Sequence, residues 1–247
     1  MSNYWDAWSN KDAIEYYKNN RFKKADIYKS EDYFLSKILK EGFSVLDVGC
    51  AVGGFSEILK KYKEDIIYSG IDISDEMIKQ ARWKYPRHIF KVADGEKIPF
   101  PKEKFDLVIC LGLMHLNLNW RKILKESWRV TKKYLLFDLR LLDKGKSIEN
   151  LDLSYQKIEF ESNWDGKSKL PYVLVNIADV LNEFSDLDPD AKNISIFGYF
   201  HKTTHMAQTP VNEICMATFC ISKIGRANRV KIDWNLPIKM PKFIPRY

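Results

Sequence analysis

Three glycines stand within six residues, directly after a short apolar run, where they can bring a ligand against the backbone. They are Gly49, Gly53 and Gly54. Glycine tolerates positive φ and has no Cβ, so a turn of this kind can aim main-chain N–H groups of a helix N-terminus at a bound molecule. The segment 45–56 therefore predicts a strand, a ligand-binding turn and a helix.

Three carboxylates are spaced so that they could meet at this turn. Asp47 lies in the apolar run before the turn, and Asp72 and Asp94 each follow a later apolar run. Asp72 falls 23 positions beyond Gly49, near the distance of about 20 at which an acidic residue accepts both ribose hydroxyls of a nucleotide. Asp94 is a candidate acceptor for the amine of an adenine, with Ile73 as one wall of the ring slot.

The charge of Asp47 separates two kinds of nucleotide-like ligand. A dinucleotide site needs Gly-x-Gly-x-x-Gly, whereas residues 49–54 read Gly-Cys-Ala-Val-Gly-Gly. A carboxylate beside the turn repels a pyrophosphate but attracts an ammonium or a sulfonium group. These residues argue against NAD and favour a ligand that carries a positive charge.

Alternating strands and helices must position these side chains. Five apolar runs are typical of strands: 45–48, 66–71, 88–92, 105–111 and 134–139. Helices are predicted between them over 74–85 and 120–130. This alternation predicts right-handed crossovers and a doubly wound, mostly parallel α/β sheet whose ligands bind at the carboxyl ends of the strands. Two strands over 193–200 and 213–222 are expected to close one edge as a hairpin.

Three further helices are predicted near the two ends of the chain. Residues 12–18 and 31–40 show helical spacing of apolar residues, the second with Ser30 as its N-cap. Residues 172–184 show a similar pattern. The aromatic residues among 1–10 either cover the site or pack on the back of the domain.

Four motifs together resemble the class I, Rossmann-like S-adenosylmethionine-dependent methyltransferases of the type 11 kind. The motifs lie within residues 40–140 and read Val45-Leu-Asp-Val-Gly-Cys-Ala-Val-Gly-Gly, Gly70-Ile-Asp-Ile-Ser, Ala93-Asp-Gly-Glu-Lys-Ile-Pro-Phe and Phe105-Asp-Leu-Val-Ile-Cys-Leu-Gly-Leu-Met-His. The resemblance implies a seven-stranded sheet with an antiparallel last strand. It also implies S-adenosyl-L-methionine (SAM) as cofactor and S-adenosyl-L-homocysteine (SAH) as product.

Carried onto this sequence, the resemblance places ten residues at the cofactor. Asp47 and Gly49 would face the methionine end, Asp72 the ribose and Asp94 the adenine. The other cofactor residues come from the same motifs: Cys50, Ala51, Gly53, Ile73, Gly95 and Leu111. Ala51 departs from the family, which commonly has glycine there, so the backbone angle at this position is open.

Polar residues after the fourth and fifth strands are candidates for contact with the methyl acceptor. Methyl transfer from a sulfonium is an in-line displacement, so the protein must align the nucleophile and exclude water, and a base helps a hydroxyl or ammonium acceptor. His115 is a candidate general base, or it packs beneath the substrate. Arg140 either clamps a phosphate or carboxylate or pairs with Asp138. His201 is a candidate substrate contact; with His205 it lacks a third ligand, so no metal site is predicted.

The composition is typical of a globular protein. Of 247 residues 45% are hydrophobic, no apolar run reaches the about 18 residues of a membrane span, and residues 1–10 show no secretory signal. The four cysteines show no paired metal spacing. We therefore expect a reduced, cytoplasmic protein with no membrane span. The oligomeric state is not predicted.

The resemblance and the charge divide the chain into three predicted parts. Residues 1–41 form a helical lid, residues 42–223 form the SAM-binding methyltransferase domain with an insertion or cap at 143–171, and residues 224–247 form a basic, extended tail. Between positions 223 and 247 seven basic residues face one acidic residue, which places +6 of the net +7 there. Such a tail is either solvated surface or an electrostatic contact for an anionic partner.

The preferred acceptor is a small polar or anionic metabolite that is methylated on oxygen. The segment 171–223 resembles small-molecule methyltransferases of sugar or capsule biosynthesis, which implies a sugar-linked polysaccharide precursor. Nucleic acid is the main alternative, since Trp234, Phe243 and Tyr247 lie among the basic residues of the tail and could stack on bases. A SAM- or SAH-binding protein without transfer activity is the third interpretation.

Overall fold

The computed structural model describes residues 8, 11–158, 168–187, 191–225 and 230–241. Helices and strands alternate along them. The helices are α1 (Lys11–Asn19), α2 (Lys29–Ile38), α3 (Phe55–Lys60), α4 (Asp75–Lys84), α5 (Trp120–Val130) and α6 (Ile177–Asp186). The strands are β1 (Phe43–Val48), β2 (Ile66–Asp72), β3 (Ile89–Val92), β4 (Phe105–Cys110), β5 (Thr131–Leu142), β6 (Tyr155–Lys157), β7 (Lys169–Pro171), β8 (Leu174–Asn176), β9 (Asn193–Lys202), β10 (Ala207–Gln208), β11 (Glu213–Ser222) and β12 (Lys231–Asn235).

The main sheet is parallel at its centre. Its strand order is β12-β9-β11-β5-β4-β1-β2-β3, and β8 pairs with β5 beside this path. Strand β1 runs parallel to β2 and β4, and β4 runs parallel to β5. Strand β11 runs antiparallel to both β5 and β9. The doubly wound, mostly parallel α/β fold is therefore confirmed, and the seven strands implied by the resemblance are joined by β8 and β12.

The strand order reverses at β1. The chain passes from β1 outward through β2 to β3 on one side, and then returns to place β4 and β5 on the other. In an open α/β sheet the crevice at such a reversal is where ligands bind, beyond the carboxyl ends of the strands. The glycine turn at residue 49 begins at this point.

Aromatic side chains fill the core between the sheet and α6. The rings of Phe137 on β5 and Phe219 on β11 are stacked, with centroids 5.0 Å apart and planes 8° apart. Phe184 of α6 lies edge-on to both rings, at 6.2 Å and 5.7 Å. This cluster joins the parallel half of the sheet to its antiparallel edge, because β5 and β11 are the strands at that junction.

Two predicted helix starts are wrong. Helix α2 begins at Lys29, and Ser30 lies inside it with its hydroxyl oxygen accepting a hydrogen bond from Thr218 Oγ1 at 2.8 Å. At the start of this helix the Tyr28 N–H donates a hydrogen bond to the Glu31 carboxylate at 2.9 Å. Helix α6 begins five residues later than 172, because residues 174–176 pair with β5 as β8 before the chain turns.

Part of the predicted basic tail belongs to the sheet. Residues 231–235 form β12, which pairs in parallel with β9. Trp234 is partly buried against the core, and its indole N–H donates to the Ile238 carbonyl at 2.8 Å. Trp234 is therefore not a free ring for base stacking, and Phe243 and Tyr247 lie outside the described residues.

The predicted insertion contributes to a second, smaller sheet. Its strands β6 and β7 are antiparallel, and β10 pairs with β6. Within the described ranges no helix is long and apolar enough to cross a membrane.

Truncation of Phe219 tests the aromatic cluster. We expect Phe219→Ala to lower the free energy of unfolding by about 3–5 kcal/mol, because it removes a ring that is fully buried and leaves a cavity. Phe200→Ala on the neighbouring β9 is the matched control, since its ring is 42% exposed, and we expect a change within about 0.5 kcal/mol. Urea unfolding followed by circular dichroism measures both values. Equal losses in the two variants would contradict the assignment.

Candidate cofactor and acceptor site

A cavity of about 560 Å³ opens at the carboxyl ends of the central strands. Its volume lies within the range of about 300–1,000 Å³ that small-molecule sites usually have. The residues predicted from the sequence to form the site line it with a single exception: Asp47, Gly49, Cys50, Ala51, Asp72, Ile73, Asp94, Gly95, Leu111, His115, Arg140 and His201. The fold therefore brings the predicted cofactor residues and the predicted acceptor contacts to one space.

The exception is Gly53, which packs inside the protein. Its φ is +77°, and a Cβ at this position would lie 2.8 Å from Cζ of Phe90. The glycine is therefore required for close packing of the turn against β3. Gly54, the next residue, lines the cavity instead.

The turn after β1 is left-handed at its first and third residues, and the third, Ala51, is not a glycine. Gly49 has φ of +81° and Ala51 has φ of +46°. An L-residue in this conformation costs about 1–2 kcal/mol relative to glycine. Ala51 therefore adopts the positive-φ conformation for which glycine is the usual residue.

Asp72 is fixed by the same turn. Its Oδ2 accepts the Ala51 N–H and its Oδ1 accepts the Ser74 N–H, both at 2.9 Å. Burial raises the pKa of this carboxyl, and the backbone N–H groups oppose the shift. Each ionised oxygen has further lone pairs, so a carboxylate held in this way can accept two more hydrogen bonds from a ligand in the cavity.

Asp47 is a buried acid whose charge depends on pH. Its side chain is 6% exposed, and its Oδ2 accepts the Tyr68 hydroxyl at 2.5 Å. Burial raises the pKa of Asp47 to about 7 despite this hydrogen bond. A cationic group in the cavity would favour the ionised form.

Asp94 and Gly95 extend the same wall beyond β3. Asp94 Oδ1 accepts the N–H of Glu96 at 2.9 Å, which orients the carboxylate. A Cβ on Gly95 would lie 3.2 Å from Cγ1 of Val48, so the small residue lets this segment approach β1. Ile73, 36% exposed, lies after β2 at the same end of the cavity.

A buried ion pair lies at the other end of the cavity. Arg140 Nη1 donates to Asp138 Oδ2 at 2.5 Å, and the Gly112 N–H donates to Asp138 Oδ1 at 2.6 Å. Arg140 is 5% exposed and Asp138 is 3% exposed. The pairing of Arg140 with Asp138 is therefore present, and Arg140 also lines the cavity. Arg140 can thus pair with Asp138 and still face an anionic group in the cavity.

His115 is a neutral imidazole beside this pair. Its Nδ1 lies 3.8 Å from Asp138 Oδ2 and has no hydrogen-bond partner within the described part of the chain. Burial and the Arg140 charge lower the pKa of His115 to about 3. The ring also lies edge-on to Tyr172, with centroids 5.6 Å apart. At neutral pH this histidine can accept or donate a hydrogen bond but is a weak base.

His201 is exposed at the end of β9, and its Nδ1 lies 2.5 Å from the Lys202 carbonyl oxygen. It therefore stands at the rim of the cavity. Among the residues that the structure describes, no group of three or more His, Cys, Asp or Glu side chains could hold a metal ion.

The N-terminal segment supplies cavity residues that motif reasoning did not identify. Trp8 lines the cavity with several residues of α1 and the turn after it: Tyr16, Tyr17, Asn20 and Arg21. The Arg21 guanidinium binds the buried Glu31 carboxylate through two hydrogen bonds of 3.0 Å, which ties this segment to α2. In the sequence, these cavity residues were indicated by no motif, and the aromatic residues among 1–10 were the one sign that this segment could cover the site. Tyr4 and Trp5 lie outside the described residues.

The insertion and the hairpin supply further cavity residues that were missed. Tyr172 follows β7, and Ile214 and Met216 lie on β11. These residues carry no motif, so only their position in the fold could identify them.

Comparison with known proteins places the central part of the chain in a family. Residues 45–134 match the family model described as a methyltransferase domain. The phthiotriol/phenolphthiotriol dimycocerosates methyltransferase of Mycobacterium tuberculosis is 32% identical over 93 residues, which are 37% of this chain and 34% of that protein. The 2-methyl-6-phytyl-1,4-hydroquinone methyltransferase of Synechocystis is 32% identical over 129 residues, which cover 44% of this chain and 40% of that enzyme. The chain thus spans well under half the length of these relatives.

A solved structure agrees with the fold over a longer stretch. A SAM-dependent methyltransferase from Methanosarcina mazei superposes with a TM-score of 0.53 at 18% identity, covering 81% of this chain and 99% of that chain. At this identity the likeness concerns the fold alone. The matched family model and the sheet order agree on a narrower statement: residues 45–134 match a methyltransferase domain, and the fold is that of the Rossmann-like methyltransferases.

Proposed function

We propose that this protein transfers the methyl group of SAM to an oxygen atom of a small polar or anionic molecule. The observation that carries the proposal is the continuous cavity, in which the motif residues Asp47, Asp72 and Asp94 share one space with His115 and Arg140. A transferase needs this arrangement, because donor and acceptor must be aligned and kept from water in the same enclosure.

The residues at the motif end fit the cofactor by their chemistry. Asp72, with both oxygens already oriented by backbone N–H groups, would accept the two ribose hydroxyls. Asp94 would accept the adenine amine beside Ile73 and Leu111. Asp47 would face the ammonium of the methionine end, and the backbone of 49–51 and Gly95 would lie against the ligand. When bound, SAM supplies a methyl group activated by its sulfonium.

The acceptor end would hold and orient the nucleophile. Arg140 would bind an anionic oxygen of the acceptor, since it stays charged in its pair with Asp138. His115 is proposed to take a hydrogen bond from the acceptor hydroxyl and to serve as the base of the reaction. Because its pKa is lowered to about 3, His115 would take the proton only as the hydroxyl becomes strongly acidic during formation of the new O–C bond. His201 would contact the acceptor at the cavity rim.

Other acceptors have less support. A sugar-linked polysaccharide precursor would have to find its polar contacts at the rim, where Gln156 and Thr204 lie. The nucleic-acid alternative depends on the basic tail. However, Trp234 is packed against the core, and Lys223 is paired with Glu103 at 3.2 Å. A binding protein without transfer activity would not need the second half of the cavity. We also propose a cytoplasmic location, consistent with four cysteines that are all free and buried.

Removal of the Asp72 carboxylate tests the cofactor assignment. We expect Asp72→Ala to weaken SAH binding about 100-fold, because two hydrogen bonds to a charged group are lost. Isothermal titration calorimetry measures the affinity, and circular dichroism checks the fold. Asp75→Ala is the matched control, since its carboxylate is 60% exposed and pairs with Lys79 on the surface. Unchanged affinity in a folded Asp72→Ala protein would refute the assignment.

The pH dependence of stability tests Asp47. Its pKa of about 7 lies above the usual value of an aspartate, so the folded protein binds more protons than the unfolded chain between about pH 4 and 7, and stability falls as pH rises through that window. Asp47→Asn removes the cost of ionising a buried carboxyl group. We expect its melting temperature at pH 8 to rise by about 4–8 °C, the shift for about 2 kcal/mol in a chain of this size, with little change at pH 4.5.

The same substitution should weaken SAH binding at pH 8 by about tenfold, because the charge that attracts the ammonium is gone. Differential scanning fluorimetry and calorimetry give the two values. A rise in melting temperature of equal size at both pH values would contradict a buried charge at Asp47.

A further inference from the structure

We infer that the acceptor is a flat, largely apolar molecule with one acidic oxygen, such as an aromatic acid or an acidic phenol, and that Arg140 anchors this oxygen. The inference rests on the proposed function and, of the polar and anionic acceptors considered there, selects anionic ones with an apolar body.

One wall of the acceptor end is a face of the main sheet. Met216 on β11 lies directly opposite Arg140 on β5 and opposite Tyr199 on β9. Because side chains alternate along strands, Ile214 shares this face with Met216. Met216 is 7% exposed and Ile214 is 2% exposed, and both line the cavity. The sheet therefore places two apolar side chains, Ile214 and Met216, beside the Arg140 guanidinium on the cavity face.

Further apolar lining comes from the predicted insertion and the segment after β4. Leu170 lies on β7 and Leu116 lies just beyond β4, and these side chains are 1% and 3% exposed. They belong to one apolar cluster with Ile214 and Met216, and they also line the cavity. A sugar hydroxyl placed against these apolar side chains would lose its hydrogen bonds to water without replacement, at a cost of about 1–3 kcal/mol.

Arg140 has hydrogen-bond capacity beyond its ion pair. Both oxygens of Asp138 are used, one by Arg140 Nη1 and one by the Gly112 N–H. A guanidinium has five N–H donors; Asp138 is its salt-bridge partner among the described residues, and the Tyr172 hydroxyl lies within hydrogen-bond reach of it. In an enclosure of low polarity, an anionic oxygen of the ligand would satisfy the donors that remain.

The shape of the ligand follows from the other cavity residues. Tyr28 and Tyr172 present aromatic rings, and Met206 and Met216 present thioethers. Rings stack on rings, and thioethers contact ring edges favourably. Of the polar lining residues, His201 and Lys202 are exposed, whereas Asn117 and Glu31 are buried, and Glu31 is paired with Arg21. The enclosed part is therefore suited to a ring.

Calorimetry with defined probes tests this inference. 4-Hydroxycinnamate, its neutral analogue 4-hydroxycinnamyl alcohol, glucose 6-phosphate and decanoate are titrated into the full chain, with and without SAH. We expect 4-hydroxycinnamate to bind and the alcohol to bind at least about tenfold more weakly, because the charged hydrogen bond to Arg140 is missing. Tighter binding of glucose 6-phosphate or decanoate, or no binding of 4-hydroxycinnamate, would overturn the substrate class.

Variants locate the binding. Arg140→Gln leaves Asp138 buried without its partner and can unfold the protein, so Met216→Gln serves as a second variant, with similar length but an amide in the apolar wall. We expect Met216→Gln to weaken 4-hydroxycinnamate binding about tenfold, the effect of about 1.4 kcal/mol, and to leave SAH affinity unchanged. Met240→Gln, at a side chain that is 42% exposed, is the matched control. Equal acid affinity in the two variants would place the acid elsewhere.

The titrations separate the two proposals. If SAH binds and 4-hydroxycinnamate does not, the substrate class is wrong and the methyltransferase proposal stands. If SAH fails to bind, the proposed function is wrong, and the titration of 4-hydroxycinnamate without SAH still decides whether the cavity takes an aromatic acid.

Discussion

The turn after β1 is held by the carboxyl end of β2, and the candidate site depends on this connection. The N–H groups of Gly49 and Cys50 donate to the Ile71 carbonyl at 2.8 Å and 3.0 Å, and the Ala51 N–H donates to the Asp72 carboxylate. These bonds fix the turn in a left-handed conformation, which Ala51 adopts at some cost. They also fix Asp72, so the turn and the acid proposed to hold the cofactor form one unit.

The buried ion pair of Asp138 and Arg140 is not explained by the stability of the fold. Asp138 and Arg140 are almost fully buried, and removing two charges from water usually costs about as much as their attraction returns. An apolar pair would serve the fold equally well. The pair is understandable if a charged group is needed in the cavity. Asp138 then holds the guanidinium in place with one oxygen, while its other oxygen is anchored to the Gly112 backbone.

The local motifs allowed most of the central fold to be predicted, together with the residues that line the motif end of the cavity. Parallel strands place their carboxyl ends at one edge, so Asp47, Asp72 and Asp94 could be brought together from their positions in the sequence alone. Gly53 lies outside the cavity lining, and a glycine required for packing against Phe90 has the same sequence signal as one required by a ligand. The start of α6 was misplaced, because the pairing of β8 with β5 overrides a helical pattern.

The sequence by itself determined the fold class, the turn and the three acids, because these depend on residue type and on spacing within consecutive strand–helix units. Only the tertiary structure decided what surrounds the acceptor. Leu170 and Met216 are separated by more than forty residues and meet because β7 packs near β11 at one end of the sheet. The buried state of Asp47 and His115, and therefore their pKa values, likewise arises from the packing of distant segments. Burial and contact between remote segments leave no local pattern in a sequence, so the candidate cofactor residues could be named beforehand and most of the residues around the proposed acceptor could not.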